Sequence, residues 1–333
     1  MTHDAAPTAT DPRTTLTRTL GSIRPLVTME RDGLVLIALH GAGSRAPGYL
    51  TFEAAAGANA VELHEVAGGS VGTVEAVTKQ TPVVLFAGDT ITGGKQNRII
   101  TIWLAADTAT KIPVSCLEAH RWDNGSRFAS GRKVDYELRA RVNRSVGAQA
   151  RAEGATAGSF EPRSFRSDQG DVWSEISARE HRAGAVSRTA ALHDLYARES
   201  DDLAAFVRAF PCPPRASGLA VGIGGKLVGL EVFDAPETCA AQWARLVEGA
   251  ASAHLDHRRA VAAKAIPTPG HRHPDQAALG RLLERSTNAL ADAVVSASVG
   301  EGSDIRLAGP RVTGSALVRG DRVVHLELFR VEA

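Results

Sequence analysis

Residues 88–122 read GDTITGGKQNRIITIWLAADTATKIPVSCLEAHRW, and the architecture of the whole chain turns on how this stretch folds. The segment IITIWLAA (99–106) is rich in the β-branched and aromatic side chains that suit a pleated, half-buried surface. A second strand-like segment, IPVSCLEAHRW (112–122), follows after a turn. Pairing the two as a hairpin brings the polar clusters Lys95-Gln96-Asn97-Arg98 and Glu118-Ala119-His120-Arg121 onto neighbouring strands. That juxtaposition is the candidate site.

Upstream, the period is two. Val61 to Glu65, Val71 to Thr78 and Pro82 to Ala87 read as strands separated by short turns, so they pair antiparallel with the central hairpin. Leu34 to Leu39 (LVLIAL) suits a buried strand. Downstream, residues 123–150 read as an excursion with an apolar alternation over Val134 to Val142, and 151–170 as a mobile loop. The period then becomes helical through Trp173, Ile176, Leu192, Leu195, Tyr196, Leu203 and Phe206. GLAVGIGGKLVGLEVF (218–233) is a hairpin turning at Gly224-Gly225; helices follow near Pro236 and over Asp275 to Ser296, and two last strands lie at Ser315–Arg319 and Val323–Phe329. The expected class is α+β. An N-terminal antiparallel β-sandwich-like domain (21–150) precedes helices packed on a smaller antiparallel sheet (171–333), after a disordered tail at 1–20.

Composition narrows the function classes. With 44% hydrophobic and 23% charged residues and a formal net charge of +1, the 333-residue chain has the make-up of a soluble globular protein and no charge surplus to attract nucleic acid or a membrane surface. Cys116, Cys212 and Cys239 are too few and too scattered for a disulfide framework, which suits a reducing cytoplasm. The first 20 residues lack a signal-peptide core, and no run of about 18 apolar residues occurs. A homo-oligomer is compatible with this composition, and no cofactor is identified.

The adjacent glycines of GGKQNR permit a backbone turn whose N–H groups can cradle an anion, with Lys95 and Arg98 adding charge. A nucleotide-triphosphate loop is excluded, because Gln96 stands where Ser or Thr belongs and a strand follows instead of a helix. In IPVSCLEAHRW, strand alternation sets Cys116, Glu118, His120 and Trp122 on one face. Glu118 and His120 then stand about 6 to 7 Å apart, as an acid/base pair or a salt-bridged strand end. Other matches fail on context: GGSVG at 68–72 resembles a nucleophile elbow but runs into a strand, and VGIGG at 221–225 lies in a hairpin. His254, His257, His271 and His273 form a loose cluster read as solvated side chains, with no metal assigned.

GDTITGGKQNRI followed by IPVSCLEAHRW resembles the domain family named for its association with ADP-ribosylglycohydrolases and rhodanese-like phosphatases. The likeness rests on Gly88, Gly93 to Arg98, Pro113 to Cys116, Glu118, Arg121 and Trp122, with Asp89 where Glu is common and His120 outside the shared pattern. It extends over about residues 23–330, including GGKLVGLEVFDAPETCAAQW. The resemblance implies work near ADP-ribose or NAD-derived nucleotides. The expectation is a cytoplasmic protein that binds or processes a small phosphorylated, nucleotide-like ligand, with Asp89, Lys95, Gln96, Asn97, Arg98 and Arg121 as ligand contacts and Glu118 and His120 as candidate catalytic groups. The competing reading is a non-catalytic module whose polar hairpin is a buried lock or a partner contact.

Overall fold

The run LVLIAL has no polar alternation because its strand is covered on both faces. Leu34, Leu36 and Ala38 enter one hydrophobic core, and Val35, Ile37 and Leu39 enter another. The computed structural model describes residues 10–332 apart from 42, 44–45, 67, 97, 101–102, 106–107, 121, 123–126, 153–164, 166, 185–186, 190 and 268–272, and leaves the side chains of 98–100 and 103–105 undescribed. Its elements begin with α1 (Pro12–Ser22), β1 (Arg24–Arg31), β2 (Leu34–His40), β3 (Leu50–Thr51), α2 (Phe52–Gly57), β4 (Val61–Glu65), β5 (Thr73–Thr78), β6 (Val83–Leu85), β7 (Asp89–Thr92), β8 (Arg98–Ile100), β9 (Trp103–Ala105), β10 (Ala109–Cys116) and β11 (Ala129–Lys133). There follow α3 (Tyr136–Ala152), α4 (Gln169–Arg182), α5 (Leu192–Arg198), α6 (Ser200–Ala209), β12 (Gly218–Ile223), β13 (Lys226–Phe233), α7 (Pro236–Ala262), α8 (Gln276–Ala289), β14 (Val294–Ala297), β15 (Ser303–Gly309), β16 (Val312–Arg319) and β17 (Arg322–Arg330). No helix among the described residues is long and apolar enough to cross a membrane.

The fold is α+β. An eight-stranded antiparallel sheet runs β1-β2-β12-β13-β17-β16-β15-β14, beside a six-stranded sheet β11-β7-β8-β10-β5-β4 and a three-stranded sheet β3-β6-β9. Helices α1 and α8 pack on one face of the large sheet, and α3 and α7 on the other. The expected division near residue 150 does not separate the sheets, since β2 pairs with β12 from Gly218↔Leu39 to Gly222↔Val35. The sheet of the second half is thereby the larger one. The Gly224-Gly225 turn is as expected, with φ of 57° and 74° between the paired Ile223 and Lys226.

Three local expectations are corrected. The disordered tail through residue 20 gives way to α1, where Asp11 accepts the Thr14 N–H, Pro12 starts the helix, and Leu16 and Leu20 dock in the core. The apolar alternation over 134–142 is instead the entry to α3: Leu138, Val142 and Val146 also recur every four residues, and all are buried. The single strand expected at 98–106 is divided, with β8 pairing β10 and β9 pairing β6 in another sheet.

The large sheet's inner face carries charge. Glu231 on β13 is fully buried; its Oε1 receives Lys133 Nζ at 2.8 Å and His325 Nε2 at 2.8 Å, and its Oε2 receives Arg139. Arg139 also reaches Glu327 at 2.8 Å, to which Asn143 donates at 2.6 Å. Burial works to raise the Glu231 pKa, but Arg139, Lys133 and His325 outweigh it and hold the carboxyl well below its usual range. Lys133→Met removes one cation from two buried carboxylates, Glu231 and Asp89. It is expected to cost about 3–5 kcal/mol in urea denaturation; a loss below about 1 kcal/mol would show the network to be dispensable.

Candidate functional site

Two turns build the motif region. Strand β7 ends at Thr92, and Gly93 and Gly94 turn the chain with φ of 94° and 57°. A Cβ on Gly94 would lie 2.2 Å from the Phe128 ring, so only glycine fits there. The turn delivers Lys95 and Gln96 to the start of β8, and the register sets Arg98 opposite Cys116. The two polar clusters therefore meet at one end of this strand pair.

Strand β10 stops at Cys116 instead of running to Trp122. The side-chain amide of Gln169, at the start of α4, accepts the Cys116 N–H at 2.8 Å and donates to the Cys116 carbonyl at 2.8 Å. It takes the backbone groups a further strand partner would use. Beyond it the chain bends: Glu118 makes a single bridge to Ala191, and the Ala119 and His120 N–H groups both reach the Thr189 carbonyl, at 3.1 and 3.2 Å. Strand alternation thus ends before it can align Glu118 with His120. Glu118 is buried and accepts from Thr189 Oγ1 at 3.3 Å, whereas His120 is exposed.

The expected site residues divide into a buried set and a solvent-facing set. Gln96 is 4% exposed and donates to the Glu118 carbonyl at 3.2 Å, joining the two motifs directly. Asp89 is 0% exposed; it accepts the Phe86 N–H at 3.2 Å and lies 3.4 Å from Lys133 and 3.3 Å from Arg245. Lys95 is half-buried, and its backbone N–H donates to Glu65 Oε1 at 2.8 Å. Its ammonium sits 5.1 Å from the ring centre of Trp122, which is 46% exposed. Asn97 and Arg121 lie outside the described residues, as does the Arg98 side chain.

Of the four histidines, His254 is not solvated. It is 3% exposed, edge-on to Phe206, and burial, aided by Arg258, lowers its pKa to about 4. His273 is exposed near Glu30, and His271 lies outside the described residues. The acidic cluster Glu137, Glu175 and Asp256 has its charge met by Arg179 and Arg182, at 2.9 Å to Glu175 and 2.7 Å to Asp256. Sequence reading missed the buried Lys133, Arg139, Glu231, His325 and Glu327. Their signal was available: Glu231 interrupts KLVGLEVF and Glu327 follows His325 in VVHLELF, each a carboxylate inside a largely apolar strand.

These features define an α+β protein whose two sequence motifs close on each other through a buried glutamine, over a sheet with a charged inner face. The chain belongs to the family of the ARG and Rhodanese-Phosphatase-superfamily-associated Protein domain (ARPP-1), which matches residues 23–329. That span includes both motifs and every strand of the large sheet except the last residue of β17. Comparisons with curated proteins and with solved structures found no match.

The buried and exposed sets predict different mutants. Gln96→Ala takes one of two donors from the buried Glu118 carbonyl, the Cys116 thiol remaining, and empties a buried side-chain site. It is expected to lose about 1–3 kcal/mol in urea denaturation, whereas Lys95→Ala loses about 1 kcal/mol or less. Equal losses would refute the division. His254 supplies a pH dependence. Its folded-state pKa lies below the unfolded value of about 6.5, so its contribution is complete above that pH and falls away as pH drops toward 4. The wild type should lose about 1–2 kcal/mol between pH 7 and pH 5 that His254→Phe does not lose, measured by denaturation at both pH values.

Proposed function

We propose that this chain binds a small phosphorylated, nucleotide-like ligand of the ADP-ribose or NAD-derived kind in the cytoplasm, at the outer rim of the GGKQNR hairpin. The observation that carries this reading is the pairing of Lys95 with the half-exposed ring of Trp122, at 5.1 Å. An ammonium beside an open indole face offers a phosphate a charge and a planar ring a stacking surface. His120 faces solvent on the same segment as Trp122 and adds a further polar contact. Asn97, Arg98 and Arg121 adjoin these residues in sequence and complete the ligand set. In this reading Asp89, Gln96 and Glu118 hold the rim in shape from beneath. The family's association with ADP-ribosylglycohydrolases supports the ligand class by association only.

A second reading, the hairpin as a structural lock, is favoured by the burial of Asp89, Gln96 and Glu118. The two separate in one experiment: thermal denaturation and tryptophan fluorescence with ADP-ribose, NAD and AMP, on the wild type, Lys95→Ala and Trp122→Ala. Ligand binding to the native state raises the melting temperature by mass action. A shift in the wild type, with affinity at least about tenfold weaker in each folded variant, is the expected result. No shift with any ligand, or unchanged affinity in both variants, leaves the lock.

A further inference from the structure

On the opposite face of the large sheet, the sequence places an unusual set of charges. Strand β13 begins at Lys226, β17 ends at Arg330, and the turn from β15 to β16 carries Arg311, with Val312 paired to Arg330. These three strands are neighbours, so the three cations share one sheet end. Helix α8 runs over that end and brings Arg281 and Arg285, four residues apart on one helical face. Together they line a cleft of about 270 Å³, floored by Leu227, Pro274, Ala278 and Leu282.

The charges in this cleft are unbalanced. Lys226 pairs with Glu332, but Arg281, Arg285, Arg311 and Arg330 have no carboxylate within ion-pair distance among the described residues. The one acidic residue in the lining, Asp275, is engaged as the N-cap of α8, accepting the Ala278 N–H at 2.8 Å. A chain of net charge +1 does not gather four unpaired guanidinium groups by general basicity. Their mutual repulsion is a standing cost that a bound anion removes, and the guanidinium fork matches phosphate oxygens.

We infer that this cleft is a second, independent binding site, for a compact phosphorylated ligand carrying at least two negative charges and an apolar or planar portion. The cleft is enclosed by strand ends and a helix and floored by aliphatic side chains. That shape suits a small phosphate ester better than the extended, stackable track of a nucleic acid.

The test uses the full chain, with inorganic pyrophosphate and phenyl phosphate as probes in chloride buffers of matched ionic strength. The wild type, Arg285→Gln/Arg311→Gln and Lys95→Ala are compared by thermal denaturation and titration calorimetry. Pyrophosphate or phenyl phosphate should raise the wild-type melting temperature beyond chloride, Lys95→Ala should retain that shift, and the double variant should bind at least about tenfold more weakly. Free of ligand, the double variant should melt at or above the wild-type temperature in low salt, because repulsion has been relieved. That reading separates a lost site from a lost fold. The inference is overturned if chloride stabilises as well as pyrophosphate, or if the double variant keeps its affinity. It is also overturned if only a single-stranded RNA oligonucleotide binds the cleft. Loss of the shift in Lys95→Ala alone would assign the anion to the hairpin, overturning this site and supporting the other.

Discussion

The carboxylate of Glu231 sits in the middle of a sheet covered on both faces, and its charge has to be met from within the protein. At an effective dielectric of about 20, one cation at 2.8 Å contributes about 6 kcal/mol. Removing each of the two ions from water costs several kcal/mol, so a single buried pair does little better than break even. Glu231 is given Lys133, Arg139 and a hydrogen bond with His325, drawn from β11, α3 and β17. The carboxylate therefore dictates where three separate elements must lie. Moving any one partner leaves an uncompensated charge in a dry interior, which adds to the register already imposed by the buried apolar faces.

The same constraint reaches the sequence motifs. Lys133 bridges Glu231 to Asp89, the first residue of β7, and Arg245 from α7 approaches Asp89 from another side. Strand β7 leads directly into the Gly93-Gly94 turn, so the position of the GGKQNR hairpin is set from the core of the large sheet. Gln96 then fastens the hairpin to the Glu118 carbonyl, and Gln169 fastens the end of β10. Much of the polar character of the motifs is used in holding themselves in place. Among the described residues of the motifs, Lys95, His120 and Trp122 remain for solvent, a small rim on a buried support.

The sequence revealed the class of fold and the meeting of the two motifs more readily than it revealed the roles of their residues. Strand rhythm and glycine turns are local signals, so the strand character of the motif region, the Gly224-Gly225 turn and the α+β class were legible. The hairpin of 99–106 with 112–122 was not, since β9 pairs with β6 and only β8 stays beside β10. Pairing of β2 with β12 was not, because it joins residues separated by most of the chain and leaves no trace in either strand beyond both-sided apolarity. Helix α1 escaped for a different reason: its apolar side chains are few, and its stability comes from a cap and from docking against α8 and the sheet. At the site, alternation assigned Glu118 and His120 to one strand face, but the ladder ends at Cys116 through a side chain 53 residues away. Gln96 and Asp89 read as ligand contacts because a polar residue in a glycine-rich turn carries no mark of whether its partner is solvent or protein. Burial decides that, and burial is a tertiary property.

The two faces of the large sheet resolve their charges in opposite ways, and the contrast bears on function. On the inner face, carboxylates and cations are matched nearly one to one and sealed from water, which suits permanent structure. Around the cleft under α8, four arginines stand near water with no carboxylate within ion-pair distance among the described residues. A protein that closes its ion pairs so thoroughly in the interior shows that its sequence can supply counter-charges where they are needed. Leaving them out at one concave, partly apolar place is therefore a difference in kind: the inner network fixes the shape of the chain, and the outer cleft keeps its charge available to something that comes and goes.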